Sequence, residues 1–330
     1  MASRTNDLFH PVRVGPVEIP GNVWLAPMAG YTDKAFRSVC VRFGASLAFT
    51  EMVSADALDR NNGTALRLLI RAPNEKVLGF QIFASNARTA GAAVRRIAHM
   101  APTLIDLNCG CSVDKVLKTG CGAALLRDPR LVGSIVAAMK SETDIPLTVK
   151  LRSGWDSSSV NYLSCAEEAV RAGAALVTLH PRTRAQEFSG TAKVEHIRLL
   201  KERCPVPVFG SGDLFSPKDC MMMLQTTGCD GIMIARGSLG NPFIFQQTQD
   251  LLRRGAEMLD CDASQKLQAA MAQLRLLGQS VGEEKACREM RKHFIAYTKG
   301  MEGGSVIRQS VVNARTIVEY EEIVESYLRS

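Results

Sequence analysis

The chain has no Cys-x-x-Cys pair, and its ten cysteines are scattered through 330 residues. In a chain of this length that scatter excludes the disulfide framework of small secreted proteins, so free thiols are expected. The five histidines (His10, His99, His180, His196 and His293) show no metal-ligand spacing, and no metal is expected. No apolar run reaches the roughly 18 residues that a membrane span needs. The N-terminus, Met-Ala-Ser-Arg-Thr-Asn-Asp, lacks the charged start and apolar stretch of a secretory leader. A cytoplasmic protein with no membrane association and no obligate protein partner is the expectation.

What the chain does have is 46% hydrophobic residues, enough to bury a large core. These residues recur as eight short apolar runs: Val23-Ala29, Leu47-Met52, Val77-Phe83, Leu104-Gly110, Leu147-Gly154, Leu176-Arg182, Val206-Gly212 and Gly231-Gly237. Each interval is long enough for a loop, a helix and a return, which predicts eight βα units closed into an α/β TIM barrel. Between runs the pattern turns helical, as in Asn86 to His99, where Ala90, Ala93, Val94 and Ile97 follow the 3.6-residue period. Ahead of the first run, Val12 to Gly21 is split by Gly15-Pro16 and predicts a hairpin closing the barrel floor. After the last, Asn241 and Pro242 are expected to cap and open a helix.

The pattern breaks over 253–264, with Gly255, Asp260, Asp262 and Ser264. Residues 1–252 therefore form the expected barrel domain with its hairpin, and 253–264 a linker. Residues 265–330 form a small all-helical domain with helices at 265–278, 283–300 and 306–329. The net charge of +7 favours a polyanionic partner only modestly. Its distribution says more. Arg288, Arg291, Lys292, Lys299, Arg308 and Arg315 face only Glu289 and Glu302 over the same stretch. The helix carrying Arg288, Arg291, Lys292 and Lys299 presents either a solvated face or a cationic wall for phosphates.

Barrel enzymes work at the carboxyl ends of their strands. Here those ends present Pro27-Met28-Ala29, Glu51, Gln81, Asn108, Lys150 with Arg152, His180 with Arg182, Ser211-Gly212-Asp213 and Ala235-Arg236-Gly237. Each alone has a structural explanation, but so many buried polar groups at one mouth must pair with one another or with a ligand. The glycine pairs Gly210-x-Gly212 and Gly237-x-x-Gly240, after the last two strands, suit a phosphate-bearing cofactor. In the stretch from Asp106 to Leu126, Gly110 is expected to turn the chain, Cys111 to sit on the exposed loop, and Gly120-x-Gly122 to permit close approach. Cys109 and Cys121 are read as packing residues.

Ala26-Pro-Met-Ala-Gly-Tyr-Thr-Asp33, Gly79-Phe-Gln-Ile-Phe83, Asn108-x-Gly-Cys111 with Lys115-Val116, Val149-Lys-Leu-Arg152, His180-x-Arg-Thr-Arg184 and Gly231-Ile-Met-Ile-Ala-Arg-Gly237 together resemble the tRNA-dihydrouridine synthases, the bacterial B-type branch most closely. The resemblance runs from about Arg13 to Phe245, and more weakly through Arg291-Lys-His-Phe and Tyr297-x-Lys-Gly300. It implies an FMN-binding barrel with a tRNA-gripping helical domain, and reduction of the uracil 5,6 double bond of particular uridines by NADPH or NADH. It further implies FMN contacts from Pro27, Met28, Ala29, Gln81, Lys150, His180, Ser211, Gly212, Asp213, Ala235 and Arg236, and catalysis by Cys111 as proton donor with Lys150 and His180. Asn108, Arg152 and Arg182 at the mouth are expected to meet the RNA, with Arg288, Arg291, Lys292 and Lys299 on the helical domain. Two positions depart from the family's usual pattern: Ser112 stands where proline is usual, and Ser211 where asparagine is. An FMN-dependent reductase of a small pyrimidine-like molecule and a non-catalytic RNA-binding barrel remain the alternatives.

Overall fold

The computed structural model describes residues 8–255 and 261–329. A two-stranded antiparallel hairpin, β1 (Val12–Val14) and β2 (Val17–Ile19), precedes eight parallel strands. These are β3 (Val23–Leu25), β4 (Ala48–Ser54), β5 (Leu78–Phe83), β6 (Leu104–Cys109), β7 (Leu147–Arg152), β8 (Ala174–His180), β9 (Val208–Gly210) and β10 (Gly231–Ile234). Neighbours pair in sequence order, and β10 returns to β3 to close the barrel. The eight apolar runs are thus the eight strands. Several runs overshoot, because β3, β9 and β10 end at Leu25, Gly210 and Ile234 and the residues that follow are loop.

The barrel interior is layered. Its lower part is apolar: Trp24, Phe49 and Phe209 fill it with ring centroids 4.0 Å (Trp24 to Phe209) and 6.2 Å (Trp24 to Phe49) apart, and Val12, Val14 and Ile19 of the hairpin pack into the same cluster. The hairpin is therefore the floor, as expected. Above it the inward positions turn polar, with Gln81, Asp106, Asn108, Thr148, Thr178 and His180 all buried. That change of chemistry along β5 to β8 places the site at the top.

The surrounding helices are stopped and started by local chemistry. Asp33 accepts from the backbone N–H groups of Ala35 and Phe36 to cap Lys34–Arg42, and Ser216 with Asp219 forms a reciprocal capping box on Pro217–Thr227. The cap expected at Asn241 is not used. Helix Ile244–Arg254 begins two residues beyond Pro242, with Phe243 at its N-cap and no side-chain cap. That helix also runs into the expected linker, of which residues 256–260 lie outside the described residues.

The C-terminal region has four helices among the described residues, Ala263–Val281, Glu283–Tyr297, Gly304–Val311 and Ile317–Arg329, where three were expected. The third splits because Thr316 and Glu319 cap a new start: Glu319 accepts from the backbone N–H of Thr316, and the Thr316 hydroxyl accepts from that of Glu319. The region packs on the barrel through Ala35, Phe43 and Phe243, which join its apolar core. His293 fills the seam, fully buried between Tyr31 at 5.5 Å and Phe36 at 5.3 Å, and burial with neighbouring Lys292 pushes its pKa down to about 3.

Candidate active site

The carboxyl ends of the barrel strands open on a cavity of about 410 Å³. It is lined by Pro27, Met28 and Ala29 after β3, Gln81 on β5, Asn108 and Cys111 at the end of β6, Lys150 and Arg152 on β7, His180 on β8, Ser211, Gly212 and Asp213 after β9, and Ala235 and Arg236 after β10. Residues far apart in sequence thus share one chamber. Arg182 is not in the lining, nor are Arg288, Arg291, Lys292 and Lys299, although Lys292 reaches the rim, where its Nζ lies 5.1 Å from the centroid of the Tyr31 ring that lines the cavity.

The chamber is cationic. Burial and neighbouring Arg152 bring Lys150 down to about 8, and its ammonium has no hydrogen-bond partner among the described residues. Arg152 is 4% exposed and lowered to about 10 by burial and by Arg182. Burial, with the cations Lys150, Arg152, Arg182 and Arg236 around it, lowers His180 to about 2, so its ring is neutral at physiological pH. Arg182 Nη1, which can only donate, lies 3.4 Å from His180 Nε2, and this leaves the ring proton on Nδ1. Asp106 offsets part of the cost of that buried ammonium, but a cluster of cations this dense is costly unless an anion or electron-rich ring joins it. The donor set therefore fits the phosphate and polar ring edge of a flavin nucleotide.

Arg182 was expected on RNA, and its placement corrects that. Its side chain is 2% exposed; Nη1 and Nη2 grip both oxygens of Asp213 at 2.8 and 2.7 Å, and the carbonyls of Ser189 and Gly190 take further N–H bonds. A guanidinium so occupied is a brace for the β9 loop. Although burial pushes the Asp213 carboxyl up, bonds from Arg182 and the Ala192 backbone hold it below the usual range. Asp213 in turn receives Arg236 Nη2 at 3.4 Å.

Two aromatic residues at the mouth had no signal in the sequence. Phe188 and Phe215 are half exposed, and Arg236 lies 4.3 and 5.3 Å from their ring centroids. Both stand in irregular loops, where no periodicity marks a residue as lining a site.

The Cys111 loop is held from several sides. Gly110 does not take the positive φ expected of a sharp glycine turn; instead Asn108 Oδ1 accepts from the N–H groups of Gly110 at 3.2 Å and Cys111 at 2.9 Å. Gly122, at φ +63°, does allow close approach, since a Cβ there would lie 2.8 Å from the Cys111 carbonyl oxygen. Burial raises the Cys111 thiol, partly offset by the Val113 N–H and Arg152, so it is protonated at neutral pH. Cys109 and Cys121 are buried, as expected of packing residues.

The family model described as dihydrouridine synthase matches residues 24–330. The chain belongs to the dihydrouridine synthase family. It is 43% identical over 327 residues to a probable tRNA-dihydrouridine synthase of Treponema pallidum, covering 96% of each chain. It is also 33% identical over 299 residues to tRNA-dihydrouridine synthase B of Pasteurella multocida, covering 91% of this chain and 90% of the relative. The expected likeness to the B-type branch is borne out. Among solved structures, histamine dehydrogenase from Rhizobium sp. 4-9 matches with a TM-score of 0.58 at 16% identity, over 82% of this chain and 51% of that one. At that identity the likeness is one of fold.

Within this dihydrouridine synthase chain, Ser211, where the family usually has asparagine, donates its hydroxyl to the Met233 carbonyl at 2.9 Å and ties β9 to β10. Ser112 lines the cavity beside Cys111. Of the four cations on the helical region, Arg288 and Lys299 are exposed, whereas Lys292 Nζ donates to the Gly30 carbonyl and Arg291 Nη2 lies 3.5 Å from the Ala314 carbonyl. Two of the four are therefore engaged within the fold. Among the described residues no helix is long and apolar enough to cross a membrane.

Proposed function

We propose that this chain reduces the 5,6 double bond of particular uridines in tRNA to dihydrouridine, with FMN in the barrel cavity and NADPH or NADH as reductant. The observation that carries the reading is that the Cys111 thiol and the Lys150 side chain line one cavity. Family membership over nearly the whole chain supports it over a small-molecule reductase or a barrel without chemistry. A flavin held there would supply hydride transfer from a nicotinamide to carbon 6 of the uracil.

The chain's own residues then have distinct tasks. Pro27 to Ala29, Gln81, Ser211 to Asp213 and Ala235 with Arg236 would hold the cofactor, Arg236 toward its phosphate. Lys150 and neutral His180 bond to electron-rich ring atoms and stabilise negative charge that develops there. Cys111, kept as a thiol by burial, delivers the proton to carbon 5. Asn108 and Arg152 form the wall against which the base is seated. The base must leave its stack to reach this depth, at a cost of a few kcal/mol that binding elsewhere offsets. Residues 265–330, through Arg288 and Lys299 above all, supply phosphate contacts whose strength falls with salt.

The test is to incubate the purified flavoprotein with NADPH and unmodified tRNA and to measure dihydrouridine by mass spectrometry. Dihydrouridine that depends on both is expected. A protein that carries flavin and oxidises NADPH with free uracil or orotate, leaving tRNA untouched, overturns the reading.

A further inference from the structure

A row of polar side chains runs from the barrel interior up to the cavity wall, and two of its members, Asp106 and Thr148, lie outside the cavity lining and have no task in the proposed chemistry. Gln81 on β5, Asp106 on β6 and Thr148 on β7 are register neighbours across three adjacent strands, and each is 1% exposed. Thr148 Oγ1 donates to Asp106 Oδ1 at 2.6 Å, and Gln81 Nε2 donates to Asp106 Oδ2 at 2.7 Å. Gln81 Oε1 accepts from Asn108 Nδ2 at 2.9 Å. Asn108 Oδ1 then accepts from the backbone N–H groups of Gly110 and Cys111. The row runs unbroken from the barrel interior to the reactive loop.

Its direction is fixed at one end. An amide has a donor end and an acceptor end, whereas a carboxylate only accepts. Facing Asp106, Gln81 must turn its NH₂ inward and its carbonyl toward Asn108. Asn108 must then turn its NH₂ to Gln81 and its carbonyl to the loop. Reversing either amide sets donor against donor in a dry interior, where an unmade bond is expensive. Burial raises the Asp106 pKa to about 7, and in the charged form both carboxylate oxygens accept, one from Thr148 and one from Gln81.

We propose that Asp106 is a positioning residue for the Cys111 loop, setting through the amides of Gln81 and Asn108 where the residue-111 backbone and its thiol sit. Its effect on turnover rests on Cys111 being the proton donor; its effect on loop order does not.

The experiment compares Asp106→Leu, which removes the acceptor, with Asp106→Asn, whose carbonyl still accepts from Gln81 while its NH₂ donates to Thr148. Iodoacetamide labelling of Cys111 at fixed pH, followed by peptide mass spectrometry without tRNA, reads loop order. Labelling of the Leu variant is expected to change by roughly tenfold, the loss of about one buried hydrogen bond, with the Asn variant close to the parent. Dihydrouridine formation should fall in parallel, with KM for tRNA unchanged. Asn108→Ala, which cuts the row at its far end, should alter labelling as much, and covers the case in which the Leu variant does not fold. Parental labelling rates in Asn108→Ala, or in a folded Asp106→Leu protein, overturn the proposal. Altered labelling with unaltered tRNA turnover upholds the row and overturns the role of Cys111 as the acid.

Discussion

The guanidinium of Arg152 donates through Nε to the carbonyl of Gly110 at 2.8 Å, one residue before Cys111. Its Nη1 reaches the carbonyls of Thr183 and Glu187 at 2.9 and 2.7 Å, so one side chain ties the β6 loop to the β8 loop. Arg152→Met should cost roughly 2–4 kcal/mol, since bonds from a charged donor contribute about 1.5–3 kcal/mol each and the carbonyls are left unmet. Arg152→Lys should rescue little, because an ammonium cannot reproduce the planar fork. Urea denaturation of the three proteins checks this, and a Lys variant as stable as the parent would contradict it.

On the proposed chemistry, Cys111→Ala should keep flavin absorbance and tRNA affinity and lose about 10²–10⁴-fold in dihydrouridine formation, the usual worth of a general acid. Cys109→Ala and Cys121→Ala should stay near parental rates. Single-turnover assays on all three decide which thiol matters.

Lys150 gives the cavity a pH dependence. Its folded pKa is lowered to about 8, so the ammonium is charged below that value and is lost as pH rises through it. A bound anion raises the pKa again, so the complex takes up a proton above about pH 8 and FMN affinity should fall by up to about tenfold per pH unit there. Fluorescence titration of FMN across this range should show that bend, and Lys150→Met should give a weaker, flatter profile.

The seam between barrel and helices depends on a missing side chain. Gly240, at φ +68°, faces the helix Glu283–Tyr297 so closely that a Cβ would lie 2.2 Å from the backbone carbon of Ala296. Gly240→Ala should destabilise by about 2–4 kcal/mol, from overpacking and left-handed strain together. Limited proteolysis should release the C-terminal helices from the variant before the barrel is cut.

Charge reversal separates the cations of that helical region. Arg288→Glu and Lys299→Glu alter exposed groups and should raise KM for tRNA with parental melting temperature and NADPH oxidation. Lys292→Glu breaks the bond to Gly30, whose N–H is held by Glu51 at 2.5 Å, and should lower the melting temperature as well. Steady-state kinetics against tRNA beside calorimetry discriminates the two behaviours.

Much of this was legible in the sequence, for a physical reason. Strands buried on both faces read as solid apolar runs, so all eight stood out, and the polar residues near the ends of most runs marked the site. The overshoot at Pro27, Ser211 and Ala235 arises because residues lining a cavity are as apolar or small as strand residues. The split at Thr316 was present as a Thr-x-x-Glu capping signature, but the apolar period from Val306 onward masked it. Burial of Arg182 was not legible, since its partners Asp213, Ser189 and Gly190 come from loops whose path no local pattern encodes. Asp106 passed as one polar residue in a strand because its significance lies in two neighbouring strands.

The sealed underside of the barrel has a kinetic corollary. Trp24, Phe209 and the hairpin stop that end, so on the proposed chemistry the nicotinamide and the nucleobase would share the opening at the carboxyl ends of the strands. Each substrate in excess should then obstruct the other, a mutual inhibition that steady-state rates at high concentrations of either would reveal.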